Sequence, residues 1–330
     1  MLSYLSLSKI LSSEITILAD NDYYSQPTST TPPQLFNNLN VPLSSAHKTG
    51  LGSSAALVTS LTTCLLQTYS SAPLQLSAPS SLTKIHNLSQ AAHCAAQGKV
   101  GSGFDVAAAV FGSCVYHRFS PSILQVLPEA NTPGFSRELR EAVDGSWDME
   151  IEKTKIPKGI RVVMGDIDCG SSTPGMVKKV LAWRESEKEA AGKRWDELER
   201  VNRGLIDLLA QLSEGGHDSA RKQILDIRKN IRAMGGAAGV PIEPEEQTKL
   251  LDAVSTGVPG VLGGVVPGAG GYDAVAFIIK DDEETVTALK EFLAKWDGKV
   301  KALETREEQE GVRVEQVEQY EGFGNYLKLT

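Results

Sequence analysis

Hydrophobic residues return along this chain with a helical period in some stretches and a two-residue period in others. Residues 55–69 are apolar or small almost throughout, and Leu82, Ile85, Leu88, Ala92 and Ala95 recur at helical spacing, so both stretches predict helices. Residues 14–19 (EITILA) alternate and are rich in β-formers, which predicts a strand. Strands are also predicted at GIRVVMGD, at 274–279 and at 311–318, and helices at 176–212, 219–234, 246–256 and 283–296. The charges of RESEKEAAGKRWDELER pair at i,i+4 and read as a solvated helix face. Residues 20–45, full of Asn, Ser, Thr and Pro, read as a long surface loop. The text turns polar after Pro128, which sets an expected boundary between domains 1–156 and 157–330. Strands and helices alternate in both halves, so the pattern predicts an α/β or α+β protein in two lobes.

Charge and composition narrow the function classes. A net charge of −8 and a pI near 5.3 argue against nucleic acid as a partner. There is no run of eighteen apolar residues to span a membrane, and the mildly apolar start lacks a basic segment and reads as strand, not signal peptide. A phosphate held by this protein must be held by local geometry. Cys64, Cys94, Cys114 and Cys169 are at least twenty residues apart, too far for a CxxC motif, and three sit among small apolar residues, as buried free thiols of a reducing compartment would.

The strongest chemical pattern is Lys48-Thr49-Gly50-Leu51-Gly52-Ser53-Ser54-Ala55-Ala56. Gly50 and Gly52 allow a backbone turn close to a ligand, and the apolar helix that follows would offer free N–H groups to an anion. Ser53 and Ser54 suit helix caps, and their hydroxyls can reach a phosphate oxygen or Mg²⁺. No GK[ST] follows, so this is not a Walker A loop, nor is the spacing that of a dinucleotide fingerprint. A turn that merely caps a buried helix also fits. Farther on, Gly98-Lys99-Val100-Gly101-Ser102-Gly103-Phe104-Asp105 places one carboxylate between glycines and an alanine-rich helix. A kinase needs a carboxylate near the attacking oxygen, although a helix N-cap would look the same. His86 and His93 share a helix face but lie roughly 10 Å apart, too far for one metal ion, and read as packing or capping residues.

These segments make the chain resemble the galactokinase–homoserine kinase–mevalonate kinase–phosphomevalonate kinase superfamily, and GLGSSAA is similar to its second motif. Lys48-Thr49, ILADNDYYSQ and GAGGYD look like the phosphomevalonate kinase branch. The resemblance implies an α+β two-lobe fold with a ribosomal-S5-domain-2-like N-lobe and a ferredoxin-like C-lobe. It implies ATP-dependent phosphorylation of 5-phosphomevalonate to the diphosphate in isoprenoid and sterol synthesis, in the cytoplasm, by a monomer or weak homodimer. ATP and Mg²⁺ would be the cofactors. Gly50, Leu51, Gly52, Ser53, Ser54 and Ala55 would hold the nucleotide, Ser54 also the Mg²⁺, and Asp105 would be the catalytic carboxylate. Lys48, Lys99, Ser102, Ser172, Thr173, Gly270 and Gly271 would face the acceptor, although Lys99 also fits a solvated loop position. Ser54, Asp105 and Gly270 are expected to line one cleft. Mevalonate kinase is the rival enzyme.

One expected motif is missing. The family's PGK-type segment, which supplies a lysine near the transferred phosphate, has no counterpart before Glu14, and only forty-nine residues precede the GLGSSAA loop. The resemblance thus implies an incomplete N-lobe with an exposed sheet edge and little kinase activity, or a ligand-binding remnant. The helix at 82–97 also offers no acidic residue as a metal ligand.

Overall fold

The computed structural model describes residues 1–7, 12–25, 36, 39, 41–42, 45–46, 48–70, 72–167, 173–212, 216–297, 300–320 and 323. The chain forms two units, one of Met1–Asp20, Gly52–Thr154 and Glu308–Thr330, the other of Asn21–Leu51 and Lys155–Glu307. Each lobe was expected as one continuous stretch; instead each unit draws in a segment from the other half of the sequence.

The first unit is mostly helical. A short α1 (Leu2–Leu5) is followed by α2 (Ser53–Tyr69), α3 (Pro79–Gln97) and α4 (Phe104–Phe111). Then come β1 (Cys114–His117), α5 (Ser122–Gln125), α6 (Phe135–Asp144) and β2 (Glu150–Lys153). β1 and β2 pair antiparallel, Cys114 opposite Lys153 and His117 opposite Glu150. The core is built where α2, α3 and α4 meet, from Ala55, Leu66, Ile85, Leu88, Val106, Ala107 and Val110. Small side chains on α4 let it lie close to both neighbours, which fixes where its first turn points.

The second unit contains β3 (Ile160–Ile167), α7 (Thr173–Ser186), α8 (Lys188–Gln211), α9 (His217–Ala238) and α10 (Glu245–Gly257). It closes with β4 (Val261–Val265), β5 (Ala274–Lys280), α11 (Glu283–Lys295) and β6 (Val300–Ala302). The antiparallel sheet runs β4-β5-β3-β6, which numbered within the unit is the 2-3-1-4 order of a ferredoxin-like split βαβ fold. Val163, Val275, Phe277 and Ile279 turn inward against Leu250, Leu251, Val254, Leu289 and Leu293 of α10 and α11.

Several local expectations need correction. Residues 14–19 form no strand: Ile15 and Ile17 are exposed, so the alternation has no face to bury. Residues 311–316 are likewise not a strand. Val312 N–H donates to Val110 O (3.2 Å), and one such bond is no ladder; a 3-10 turn, Val317–Gln319, follows. The helix expected at 176–212 is two, broken at Glu187. The polar stretch after Pro128 hides α6 and β2, and among the thiols Cys64 is exposed, whereas Cys94 is buried. Cys169 and most of the loop at 20–45 lie outside the described residues.

The second unit carries a buried charge cluster. The Arg228 side chain donates to Glu243 Oε1 at 2.7 Å and to Asp252 Oδ1 at 2.6 Å, while Arg232 and the Thr248 hydroxyl also donate to Glu243. The Arg228 and Glu243 side chains are both almost wholly buried. Removing Glu243 would leave the buried Arg228 with only the more exposed Asp252 as its counter-charge. Glu243→Ala is therefore expected to lower unfolding free energy by about 3 kcal/mol. Urea denaturation checks this, and a loss below about 1 kcal/mol would contradict it, being the scale of an exposed pair.

Candidate active site

Two helix starts in the first unit come together. Gly52 is the N-cap of α2, with φ 78°, and Gly103 is the N-cap of α4, with φ 77°. Neither helix has a side-chain cap. A Cβ built on Gly52 would lie 3.4 Å from the Asp105 Cβ, so the half-buried Asp105 packs directly against the start of α2. A Cβ there would touch Asp105 at ordinary van der Waals distance, but any side chain at residue 52 would carry the strain of a left-handed backbone.

Ser53 and Ser54 were expected as caps, but they are the first two residues inside the helix. The Gly52 carbonyl takes the N–H groups of Ala55 (3.0 Å) and Ala56 (3.1 Å). The N–H groups of Ser53 and Ser54 have no acceptor among the described residues. Ser54 Oγ is 3.1 Å from His93 Nε2, which is also 3.0 Å from Gln97 Nε2. Asp105 Oδ1 accepts the Val106 N–H at 2.9 Å, and no bond to Oδ2 is found among the described residues. Free N–H groups at the positive end of a seventeen-residue helix, with a carboxylate beside them, suit an anion whose far side meets a proton acceptor.

The other expected site residues fall in both units. Ala55 is buried in the core. Lys99 and Ser102 are exposed on the loop joining α3 to α4. Lys48, exposed in an isolated bridge to Tyr24, belongs with Gly50 and Leu51 to the second unit. There the Cβ position of Gly50 lies 3.9 Å from the Ala274 Cβ. Gly271 N–H donates to Ile242 O at 2.9 Å, and a Cβ on Gly270 would strike that same carbonyl. Ser172 and the side chain of Thr173 lie outside the described residues.

The sequence reading missed a polar stripe on α3. His86, Gln90, His93 and Gln97 recur at i, i+4, i+7 and i+11, a spacing that could have revealed them. His86 is fully buried, ringed by Phe111, Tyr116, Phe119 and Trp147. Its Nδ1 is 3.0 Å from Asn87 Oδ1 and its Nε2 is 3.2 Å from Gln90 Nε2. Burial lowers the His86 pKa from its ordinary 6.5 to about 4, and Asn87 offsets this only in part. Burial also raises the Tyr116 pKa, so neither ring is charged near neutral pH. Among the described residues no cluster of three His, Cys, Asp or Glu side chains could hold a metal. No helix among them is long and apolar enough to cross a membrane.

Comparison with known proteins gives this geometry a context. Residues 34–113 match the family model of the GHMP kinases N terminal domain. The chain is 53% identical to "Phosphomevalonate kinase ERG8" of Gibberella zeae, over 95% of this chain and 72% of that one. It is 45% identical to phosphomevalonate kinase erg8 of Aspergillus fumigatus, over 98% and 72%. A peroxisomal phosphomevalonate kinase of Arabidopsis thaliana is 34% identical over 94% and 74%. Among solved structures, Streptococcus pneumoniae phosphomevalonate kinase in complex with phosphomevalonate and AMPPNP matches with a TM-score of 0.59. It is 19% identical, covering 79% of this chain and 69% of that one, and thus speaks for the fold alone. The fold is the α+β fold of the GHMP kinases.

The buried imidazole gives a signed pH effect. Its folded pKa is depressed, so as pH falls the unfolded chain takes the proton first. The contribution is complete above pH 6.5 and is lost progressively down to about pH 4. Between pH 7 and pH 4.5, the stability of the parent relative to His86→Gln should shrink by about 2–3 kcal/mol. Paired denaturation curves measure this, and a pH-independent difference would contradict it.

Proposed function

The chain belongs to the phosphomevalonate kinase family of the GHMP kinases, and from that premise we propose that it transfers the γ-phosphoryl group of ATP to 5-phosphomevalonate. A terminal oxygen of the acceptor phosphate attacks the γ-phosphorus, the bond to the β-bridging oxygen breaks, and ADP and 5-diphosphomevalonate leave. The reaction belongs to isoprenoid and sterol synthesis in the cytoplasm. The observation that carries this reading is the approach of Asp105 to the uncapped start of α2, within 3.4 Å of the Cβ position of Gly52.

In the proposed roles, the free N–H groups of Ser53 and Ser54 take the phosphate oxygens of the nucleotide, with Gly50, Leu51, Gly52 and Ala55 shaping the turn. Asp105 orients the acceptor phosphate and takes the proton of a protonated acceptor oxygen. Lys48, Lys99, Ser102, Ser172, Thr173, Gly270 and Gly271 are assigned to the acceptor. The oxygen chemistry at the loop fits Mg²⁺, a cation that arrives on nucleotide phosphates and keeps several waters. Ser54 Oγ would be its protein ligand. Held there, the ion would supply charge neutralisation to the phosphates.

Asp105→Asn is expected to lower kcat by ~10²–10⁴ while ATP affinity stays within a few-fold. Coupled ADP release with 5-phosphomevalonate, and with mevalonate as control, measures this. ADP release only with the phosphorylated acceptor supports the reading. Nucleotide binding without ADP release returns the alternative of a ligand-binding remnant. A kcat for Asp105→Asn within threefold of the parent removes Asp105 from the chemistry.

A further inference from the structure

A chain of hydrogen bonds runs from Gly103, the N-cap of the helix that carries Asp105, across α3, to α6. Gln90 Nε2 is 2.7 Å from Gly103 O and 3.2 Å from His86 Nε2. His86 Nδ1 is 3.0 Å from Asn87 Oδ1, and Asn87 Nδ2 is 3.0 Å from Val143 O. Both ends are backbone carbonyls, which only accept. Each link therefore has one possible polarity. The Gln90 amide must donate to Gly103 O and also to His86, so His86 Nε2 must be a bare lone pair. The imidazole proton must then sit on Nδ1 and be donated to Asn87 Oδ1, which leaves the Asn87 amide to donate to Val143 O. A cationic His86 would turn an N–H toward the Gln90 amide and break the chain.

We propose that Gln90, held by neutral His86, is a positioning residue for Asp105. Gly103 O receives two donors, Gln90 Nε2 and the first helical N–H of α4, from Ala107 at 3.0 Å. Held from two directions, the peptide joining Gly103 to Phe104 cannot rotate, and Asp105 is the next residue. A Cβ on Gly103 would lie 2.6 Å from Gln90 Nε2, so the amide occupies the space where a side chain would stand. Gln90, Asn87 and His86 are all completely buried, and burying their N–H donors is costly unless the acceptors are fixed. The chain places this rigid scaffold behind the one carboxylate assigned to the reaction. The inference rests on Asp105 acting in phosphoryl transfer as proposed above.

The test uses the whole protein, labelled with ¹⁵N at histidine, and Gln90→Met, which keeps length and volume but donates no hydrogen bond. In the parent, the His86 signals should show the Nδ1–H tautomer; the Nε2–H form would overturn the proposal whether or not any variant folds. In Gln90→Met, kcat with 5-phosphomevalonate should fall ~10- to 100-fold with KM for ATP within threefold, the scale expected of a misplaced catalytic group. A folded Gln90→Met with kcat within threefold of the parent would show that Gln90 only supports the fold. If the parent does not turn over 5-phosphomevalonate, the functional reading has failed, and the positioning claim is judged by hydrogen exchange at Val106, whose N–H is held by Asp105. Faster exchange in Gln90→Met supports it, and unchanged exchange overturns it.

Discussion

The contact on which the candidate site depends is the approach of Asp105 to Gly52. It brings a carboxylate within reach of the positive end of a long helix without covering the N–H groups there. A carboxylate that capped α2 itself would satisfy those groups and remove them from any phosphate. Asp105 instead accepts from its own neighbour, Val106, so the helix end keeps its donors. Glycine at residue 52 is favoured by its left-handed backbone, φ 78°, since a Cβ there would meet Asp105 only at ordinary contact distance.

The polar side chains behind the site follow from the same constraint. A helix start placed beside another can hold its position only if the backbone feeding it is fixed. In α3 that role falls to buried His, Asn and Gln side chains inside an otherwise apolar core. Bonds among buried polar groups are directional, whereas apolar contacts are not, so they can hold one peptide plane in one orientation. The second unit uses charge in a similar way. Glu243, bound by Arg228 and Arg232, follows Ile242, whose carbonyl receives Gly271 of the second glycine loop. In both units a glycine loop rests on buried polar anchors from a neighbouring helix.

Local signals made much of the fold legible. The glycine–serine run before an apolar helix marked α2, and the carboxylate after GSGF marked α4, because a turn residue followed by a periodic run needs no distant partner. Strands were harder. EITILA has the right alternation, but a strand exists only with a partner, and nothing in those six residues reports on one. The segment after Gly311 failed for the same reason: it reaches one carbonyl of α4 and makes no further backbone pairing among the described residues. His86 and His93 were seen as a pair on one helix face, but without the glutamines between and beyond them. Only with Gln90 and Gln97 do they form a stripe, and whether a polar stripe faces water or a core is decided by tertiary packing, not by spacing.

Amide spectra of the protein titrated with Mg-ATP test the central claim most directly. If the start of α2 holds the phosphates, the Ser53 and Ser54 N–H signals should move downfield together and saturate with the nucleotide. Phosphate is a stronger acceptor than the water it replaces. Saturable binding seen elsewhere in the spectrum, with the Ser53 and Ser54 signals unmoved, would contradict the account.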